Sequence, residues 1–215
     1  ILVTGAGGFV GKRLVALLAR KGHEVSAAVH KSPDSAQKKS FDHENITVNR
    51  LDLANFETSS LPNDIECLIT LAQSSHFRDF PKRAEEVFEV NVTANLKLLQ
   101  WAKDIGEKRV VHASSGGIYG GKQGGQFTET DLLAVDSPLG FYLGSKLCSE
   151  LVFQNFQEFF DSMVILRPFF IYGPNQREDM FIARLIASVK SGQAISLQGE
   201  DGLRVNPIYV DDAAT

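Results

Sequence analysis

The sequence predicts an α/β protein built on a doubly wound parallel sheet with helices on both faces. Short apolar segments alternate with longer segments whose apolar residues recur every three or four positions. The first apolar segment runs directly into a G-x-x-G-x-x-G turn at Gly5, Gly8 and Gly11, and a helical segment follows. A second apolar segment begins within about 30 residues, as in a strand–helix–strand unit, and such a unit holds its two strands parallel.

The composition is that of an ordinary globular domain. The chain has 215 residues, of which 43% are hydrophobic and 22% charged, and its net charge is −4. We therefore expect no nucleic-acid or membrane partner, and no apolar run approaches the roughly 20 residues of a membrane span. Because residue 1 already begins a core strand, we expect no signal peptide. Cys67 and Cys148 lack C-x-x-C spacing, which favours a reducing, cytoplasmic location over a disulfide scaffold.

The glycine turn joins a predicted strand over residues 1–4 to a helix marked by Val15 and Leu18. Amide N–H groups at a helix start have no intrahelical acceptor and carry partial positive charge. A helix start that no side chain crowds therefore favours a phosphate. A glycine-rich turn that binds nothing is the alternative. Gly22 is suited to the end of this helix.

The second predicted strand, residues 25–29, ends where a dinucleotide-binding domain meets the adenosine ribose of its cofactor. An Asp or Glu at that place favours NAD, but this chain has His30 and Lys31 there. Two side chains that can carry positive charge suit a 2′-phosphate, so the sequence leans towards NADP. The alternative is that His30 and Lys31 only begin a solvated loop.

A third strand over residues 46–53 ends in Asp52 and Leu53. The Asp52 carboxylate can accept a hydrogen bond from an adenine amino group while Leu53 covers the ring. An Asp that caps the following segment is the alternative. The fourth strand, residues 65–72, is largely apolar, as an inner parallel strand should be, and the polar residues 73–81 follow it as a loop over the cofactor.

Residues 83–105 form a long predicted helix, because apolar residues recur at spacings of three and four. Asn91 lies within that apolar series, and a buried Asn needs hydrogen-bond partners. It can tie the loop after strand four to the strand that follows this helix, whereas a surface Asn is the alternative. The remaining predicted elements are a fifth strand at residues 109–114, a helix at 141–160, a sixth strand at 163–167 and a helix at 181–189.

Tyr142 and Lys146 stand four residues apart at the start of a predicted helix, so their side chains share one face. A tyrosine of pKa about 10 is mostly protonated at neutral pH. A nearby ammonium stabilises the phenolate, lowers that pKa and makes the tyrosine usable as an acid or base. Ser115, at the end of the fifth strand, can donate a hydrogen bond to a substrate oxygen and bridge it to Tyr142.

With these residues in this order, the chain resembles an extended short-chain dehydrogenase/reductase of the NAD-dependent epimerase/dehydratase family. The matching segments are residues 4–11, 52–53, 91–92, 114–120, 142–146, 167–169, 172–174 and 209–212. The resemblance implies a Rossmann fold, an NAD or NADP cofactor and a homodimer formed through the long helices. It also implies a small-molecule substrate such as a nucleotide sugar. It also implies that residues 1–170 are the cofactor-binding domain and that residues 171–215 are part of a truncated substrate-binding region.

The resemblance further implies the residues of each site. Ser115, Tyr142 and Lys146 form the catalytic set, since Ser115 stands four residues before Tyr119 as in the family. Residues 8–10 hold the pyrophosphate, residues 71–73 the middle of the cofactor, and residues 168–170 the nicotinamide. The full set of expected cofactor-binding residues is Gly5, Gly8, Phe9, Val10, Gly11, His30, Lys31, Asp52, Leu53, Leu71, Ala72, Gln73, Asn91, Ser114, Tyr142, Lys146, Pro168, Phe169 and Phe170.

Three departures from the family's patterns bear on reaction and substrate. The family's 4,6-dehydratases carry Asp-Glu directly after the catalytic Ser or Thr, whereas this chain has Gly116 and Gly117, which argues against dehydration. Nucleotide-sugar epimerases commonly read Arg-x-Phe-Asn after the sixth strand, and the fourth residue here is Phe170. Arg204 stands one place away from the usual diphosphate-binding Arg. The last two changes weaken the case for a nucleotide sugar.

The reaction expected from these residues is hydride transfer between a nicotinamide and a carbinol or carbonyl carbon. Tyr142 transfers the proton of the substrate hydroxyl. Lys146 lowers the pKa of Tyr142 and holds the cofactor ribose, and Ser115 polarises the substrate oxygen. An epimerase uses this step twice and returns its cofactor unchanged. The alternatives are an NADP-dependent carbonyl reductase or dehydrogenase acting on a non-nucleotide substrate, and a non-catalytic regulator that senses the cofactor.

Overall fold

The computed structural model describes residues 1–32, 39–120, 126–135, 139–196 and 205–215. Its main sheet contains β1 (Leu2–Thr4), β2 (Val25–Val29), β3 (Ile46–Arg50), β4 (Leu68–Thr70), β5 (Arg109–Ala113) and β6 (Ser162–Leu166). Within the described part of the chain, these six strands lie in the order β3-β2-β1-β4-β5-β6, and every neighbouring pair is parallel. The predicted doubly wound parallel sheet is confirmed.

Helices cover both faces of this sheet. They are α1 (Phe9–Arg20), α2 (Ala84–Phe88), α3 (Ala94–Asp104), α4 (Gly140–Phe156), α5 (Phe181–Lys190) and α6 (Val210–Ala213). Neighbouring residues of a strand point to opposite faces. Val3 of β1 accordingly packs in a cluster with Val15 of α1, while Leu2 packs in a second cluster with Leu98 of α3 and Phe153 of α4.

The strand order reverses at β1. The chain places β2 and β3 on one side of β1 and places β4, β5 and β6 on the other. In open parallel sheets, a crevice forms outside the carboxyl ends of the two strands where the order reverses, and ligands bind there. The turn after β1 and the loop after β4 border this crevice.

Several predicted boundaries were wrong. The fourth strand covers Leu68–Thr70 rather than residues 65–72, and the helix predicted over residues 141–160 ends at Phe156. The third strand ends at Arg50 rather than at residue 53, because Asp52 begins a turn in which its backbone carbonyl accepts a hydrogen bond from the Asn55 amide at 2.9 Å. The helix predicted over residues 83–105 is interrupted by a π-helical segment, Glu89–Thr93, between α2 and α3. This wider turn contains Asn91, whose side chain is fully buried.

A second, smaller sheet lies outside the main one, where β7 (Phe170–Tyr172) pairs in parallel with β8 (Pro207–Tyr209). The chain after β8 returns to α1, where the Arg13 guanidinium lies 3.4 Å from an Asp211 carboxylate oxygen and donates to the Pro174 carbonyl at 3.3 Å. Arg204 lies outside the described residues. Among the helices that are described, none combines the length and the apolar character needed to cross a membrane.

Two helical glycines give a matched test of the packing around the first turn. A Cβ at Gly11 of α1 would collide with the Gly5 carbonyl oxygen and lie 2.8 Å from Ala6 Cα, whereas a Cβ at Gly144 of α4 would meet nothing within 4 Å. We expect Gly11→Ala to lower the free energy of unfolding by about 2 kcal/mol, because it overpacks a backbone contact. Gly144→Ala should raise it by about 0.5–1 kcal/mol, since it removes backbone entropy from the unfolded chain.

Urea denaturation of both variants beside the unsubstituted protein measures the two changes. Equal effects of the two substitutions would contradict a close contact between α1 and the turn.

Candidate active site

The glycine turn after β1 forms one wall of the crevice. Gly5 has a φ of +70°, and a Cβ on it would lie only 2.7 Å from the Ala72 backbone nitrogen at the end of β4. The Gly8 amide donates to the Gly5 carbonyl at 2.8 Å, and α1 begins directly after Gly8 with no acidic residue in its first turn. The free N–H groups of Phe9 and Val10 therefore stand at an uncrowded helix start, which fits the pyrophosphate of a dinucleotide.

The structure brings His30 and Asp52 together next to the ends of β2 and β3. His30 and Lys31 are exposed, and His30 Nε2 lies 3.9 Å from an Asp52 carboxylate oxygen. The same oxygen accepts a hydrogen bond from the Ala54 amide at 3.1 Å, as the capping alternative requires. Leu53 packs against the core cluster beneath α3. Asp52, which follows β3, thus places a carboxylate near the end of β2, where β2 has none of its own.

Tyr142 lies in the first turn of α4 and reaches towards the loop after β4. Its side chain is 9% exposed, and its hydroxyl donates a hydrogen bond of 2.8 Å to Gln73 Oε1. The Ser115 side chain, at the end of β5, is close enough to the Tyr142 hydroxyl to act on its pKa. Ser115 Oγ also accepts from the Gly117 amide at 3.1 Å. The structure therefore brings Ser115, Tyr142 and Gln73 together.

Burial keeps Tyr142 protonated at neutral pH. Burial raises the pKa of Tyr142 to about 12, and the hydrogen bond with Ser115 opposes this rise only in part. The expectation that the pKa of Tyr142 lies below its ordinary value is wrong, since burial disfavours the phenolate and raises that pKa instead. The Lys146 ammonium instead donates to the Ala113 carbonyl at 2.8 Å.

Lys146 is one of the most deeply buried side chains, with 2% of its surface exposed. Burial lowers its pKa to about 8, and the negative charge of Glu150, one turn further along α4, partly opposes that shift. Glu150 is itself fully buried and pairs with Arg167, whose Nη2 lies 2.8 Å from Glu150 Oε2. Arg167 Nη1 donates to the Tyr119 hydroxyl at 2.7 Å. After Tyr142, α4 thus carries a buried lysine and a buried carboxylate that pairs with Arg167.

Asn91 connects the loop after β4 to α4. Its Oδ1 accepts from the Ser74 amide at 2.9 Å, and its Nδ2 donates to Ser145 Oγ at 2.9 Å. The expected burial of Asn91 is confirmed, but the expected tie to the following strand is wrong. The second partner lies on the helix that carries Tyr142, because the π-helical turn directs Asn91 towards α4.

Aromatic rings close the far end of the crevice. A Cβ on Gly116 would lie 2.6 Å from the ring of Phe169, and the Gly116 amide donates to the Pro168 carbonyl at 2.8 Å. Phe170 points elsewhere, since its ring centroid lies 5.7 Å from that of Phe181. Ser114 is buried, and its amide donates to the Leu166 carbonyl. Of the predicted nicotinamide contacts, Phe169 is the one packed directly on the residue after Ser115.

Sequence reasoning missed three contributors to this site. Glu150 stands four residues after Lys146, so its helical spacing was a usable signal for a charge on the same face. The partnership of Glu150 with Arg167 and Tyr119 had no such signal, because it joins segments far apart in sequence. Phe77, whose ring centroid lies 5.1 Å from that of Tyr142, also had none.

Comparison with known proteins identifies the family. The profile of the NAD dependent epimerase/dehydratase family matches residues 1–215. The chain belongs to this family. It is 31% identical to a UDP-glucuronate 4-epimerase of Thermodesulfobacterium geofontis, over 99% of this chain and 68% of the relative.

Solved structures agree with this assignment. UDP-glucuronic acid 4-epimerase from Bacillus cereus in complex with UDP-glucuronic acid and NAD superposes with a TM-score of 0.82 at 29% identity, over 99% of this chain and 70% of that one. MoeE5 in complex with UDP-glucuronic acid and NAD gives a TM-score of 0.81 at 32% identity, over 99% and 69%. The chain spans only 66% of the Staphylococcus aureus protein CapI, to which it is 26% identical. Because both solved structures hold NAD, the sequence-based lean towards NADP is not supported.

The burial of Lys146 predicts a pH-dependent stability. Its folded pKa of about 8 lies below the ordinary value of 10.5, so the unfolded chain binds more protons between these values and stability rises with pH across that window. We expect the free energy of unfolding of the unsubstituted protein, relative to Lys146→Met, to increase by about 3 kcal/mol from pH 8 to pH 10.5.

Urea denaturation at a series of pH values measures this difference. Lys190→Met, at an exposed position on α5, is the matched control and should show no comparable increase. A flat difference for Lys146→Met would contradict a buried ammonium at this position.

Proposed function

We propose that this chain carries the cofactor-binding and catalytic part of an NAD-dependent nucleotide-sugar epimerase. The observation that carries the proposal is the meeting of Tyr142, Ser115 and Lys146 at the carboxyl end of β5, beside the glycine turn of β1. Family membership supports it, and so do the names of similar proteins, which act on or bind UDP-glucuronic acid.

In the proposed reaction, Tyr142 is the acid and base. It removes the proton from a sugar hydroxyl as the adjoining carbon becomes a ketone, and it returns the proton when the opposite face is reduced. Bound NAD supplies a hydride acceptor that becomes the donor in the second half of the reaction. Ser115 donates a hydrogen bond to the sugar oxygen and stabilises its developing charge.

Lys146 has two roles in this proposal. Its ammonium lies one helical turn from Tyr142 and favours the phenolate when Tyr142 acts as the base. It also presents N–H donors to the ribose of the cofactor while the Ala113 carbonyl holds it in place. The raised pKa of Tyr142 supports its role as an acid that carries its proton at neutral pH.

The family relationship leaves epimerase and dehydratase as alternatives, and the packing at Gly116 favours the epimerase. The dehydratase pattern needs a carboxylate directly after the serine, but a Cβ at this position would lie within 2.7 Å of three Phe169 ring atoms. Phe170 supports a rival, a reductase acting on a non-nucleotide carbonyl compound, because its ring contacts Phe181 where many epimerases present an amide.

We further propose that residues 1–170 form the cofactor domain, that residues 171–215 belong to the substrate region, and that the protein is a homodimer. The apolar side chains of Phe88 on α2 and Leu151 on α4 are 43% and 51% exposed, and they lie on the helices through which the dimer would form.

For the cofactor, we propose NAD. The Asp52 carboxylate beside His30 disfavours the negative charge of a 2′-phosphate at the end of β2. We expect NAD to bind the full-length protein about tenfold more tightly than NADP, a difference of about 1.4 kcal/mol. Asp52→Asn should narrow that ratio.

Titration calorimetry with both nucleotides measures the two affinities. Tighter binding of NADP by the unsubstituted protein would overturn the choice of NAD. It would also assign the 2′-phosphate to His30 and Lys31.

The catalytic proposal is tested with Tyr142→Phe in the full-length protein. We expect turnover of UDP-glucuronic acid to its C4 epimer to fall by at least about 100-fold, because the acid and base is lost, while NAD affinity stays within about twofold. Ser59→Ala removes a hydroxyl from an exposed position of the cofactor domain, outside the predicted site, and should keep its activity.

Chromatography of the sugar nucleotides follows the reaction, and absorbance at 340 nm follows the cofactor. Net consumption of added NADH with a carbonyl compound, without epimerisation, would reject the proposed epimerase in favour of the reductase. Full activity of Tyr142→Phe would exclude Tyr142 as the acid and base.

A further inference from the structure

A closed set of hydrogen bonds surrounds Tyr142. At its backbone end, Ser145 Oγ donates to the Tyr142 carbonyl at 2.7 Å and accepts from Asn91 Nδ2 at 2.9 Å. Asn91 Oδ1 accepts from the Ser74 amide, also at 2.9 Å. The residue before Ser74 is Gln73, which accepts the Tyr142 hydroxyl at 2.8 Å. The loop that carries Gln73 and the helix that carries Tyr142 are therefore held to one another through the same buried amide.

We propose that Gln73 is a positioning residue for the catalytic tyrosine, and that its amide oxygen holds the Tyr142 hydroxyl, with its proton, at the place where the reacting oxygen of the substrate binds. The proposal rests on the function proposed above and gives Gln73 a role that differs from a contact to the cofactor. A substrate hydroxyl that bonds to Tyr142 takes over the hydrogen bond between Tyr142 and Gln73.

The surroundings of Tyr142 make this bond important. The polar side chains that face it are Gln73 from the loop after β4, Ser115 from the end of β5 and Lys146 on its own helix. Lys146 donates to the Ala113 carbonyl and Ser115 Oγ accepts from the Gly117 amide. Gln73 is exposed at the crevice, so its amide can be displaced by an entering ligand. An acceptor at the hydroxyl favours the protonated form of a tyrosine.

The test measures the pKa of Tyr142 directly and needs no turnover. The chain has 4 tyrosines, so full-length protein that incorporates 3-fluorotyrosine gives a small set of ¹⁹F resonances, and Tyr142→Phe identifies the signal of Tyr142. Ring fluorination makes the phenol more acidic and brings its titration closer to neutral pH. The titration is compared in the unsubstituted protein, in Gln73→Met, in Gln73→Glu and in Ser75→Ala, an exposed control on the same loop.

We expect Gln73→Met to lower the pKa of Tyr142 by about 0.5–1, because the acceptor of its proton is removed. Gln73→Glu should raise that pKa, because a carboxylate replaces the amide and disfavours the phenolate. Ser75→Ala should leave it unchanged. Unchanged resonances of the other tyrosines confirm that each variant is folded. If Gln73→Met does not fold, the shift expected for Gln73→Glu still tests the proposal.

A rise in the pKa for Gln73→Met would overturn the proposal, since it would mean that the amide stabilises the phenolate as a donor. Equal pKa values in all four proteins would also overturn it. A protein that shows the expected shifts but no epimerisation would leave the role of Gln73 intact and reject the proposed function instead.

Discussion

The site depends on the close approach of two backbone segments where the strand order reverses. The turn after β1 lies so near the end of β4 that a single Cβ on Gly5 would lie 2.7 Å from the Ala72 nitrogen. This contact brings the start of α1, with its free N–H groups, next to the loop that carries Gln73. Because Gln73 in turn reaches Tyr142, the glycine turn also determines how far a bound pyrophosphate would lie from the reacting centre. A side chain on Gly5 would move both the start of α1 and the loop that carries Gln73.

Around this crevice, the protein buries polar groups that are unfavourable to remove from water unless each finds a partner. Lys146 has the Ala113 carbonyl, Asn91 has Ser74 and Ser145, and Glu150 has Arg167. A buried ion pair is weak support for stability in itself, but loss of one partner leaves an uncompensated charge. These bonds restrict the orientation of each buried side chain, as the proposed proton transfer requires.

Much of this arrangement is predictable from local sequence, and the rest is not. The glycine spacing predicted the turn, and the spacing of Tyr142 and Lys146 predicted a shared helical face, because both patterns lie within one or two turns of chain. The direction of the Tyr142 pKa was not predictable, since it depends on burial by segments up to 69 residues away, such as the Gln73 loop. Asp52 itself was predicted as a site residue, but its approach to His30 was not, because Asp52 lies in the turn after β3 and His30 follows β2.

The rings beyond Ser115 connect packing to the class of reaction. Phe169 lies on Gly116, and the Tyr119 ring stacks between Phe169 and the charge of Arg167, with centroid and guanidinium distances of 6.2 and 5.1 Å. Arg167 is also paired with buried Glu150, one turn along α4 from Lys146. A side chain after Ser115 would require the Phe169 ring to move. Because the dehydratase pattern places a carboxylate at this position, the packing of Phe169 supports the epimerase that we propose over a dehydratase.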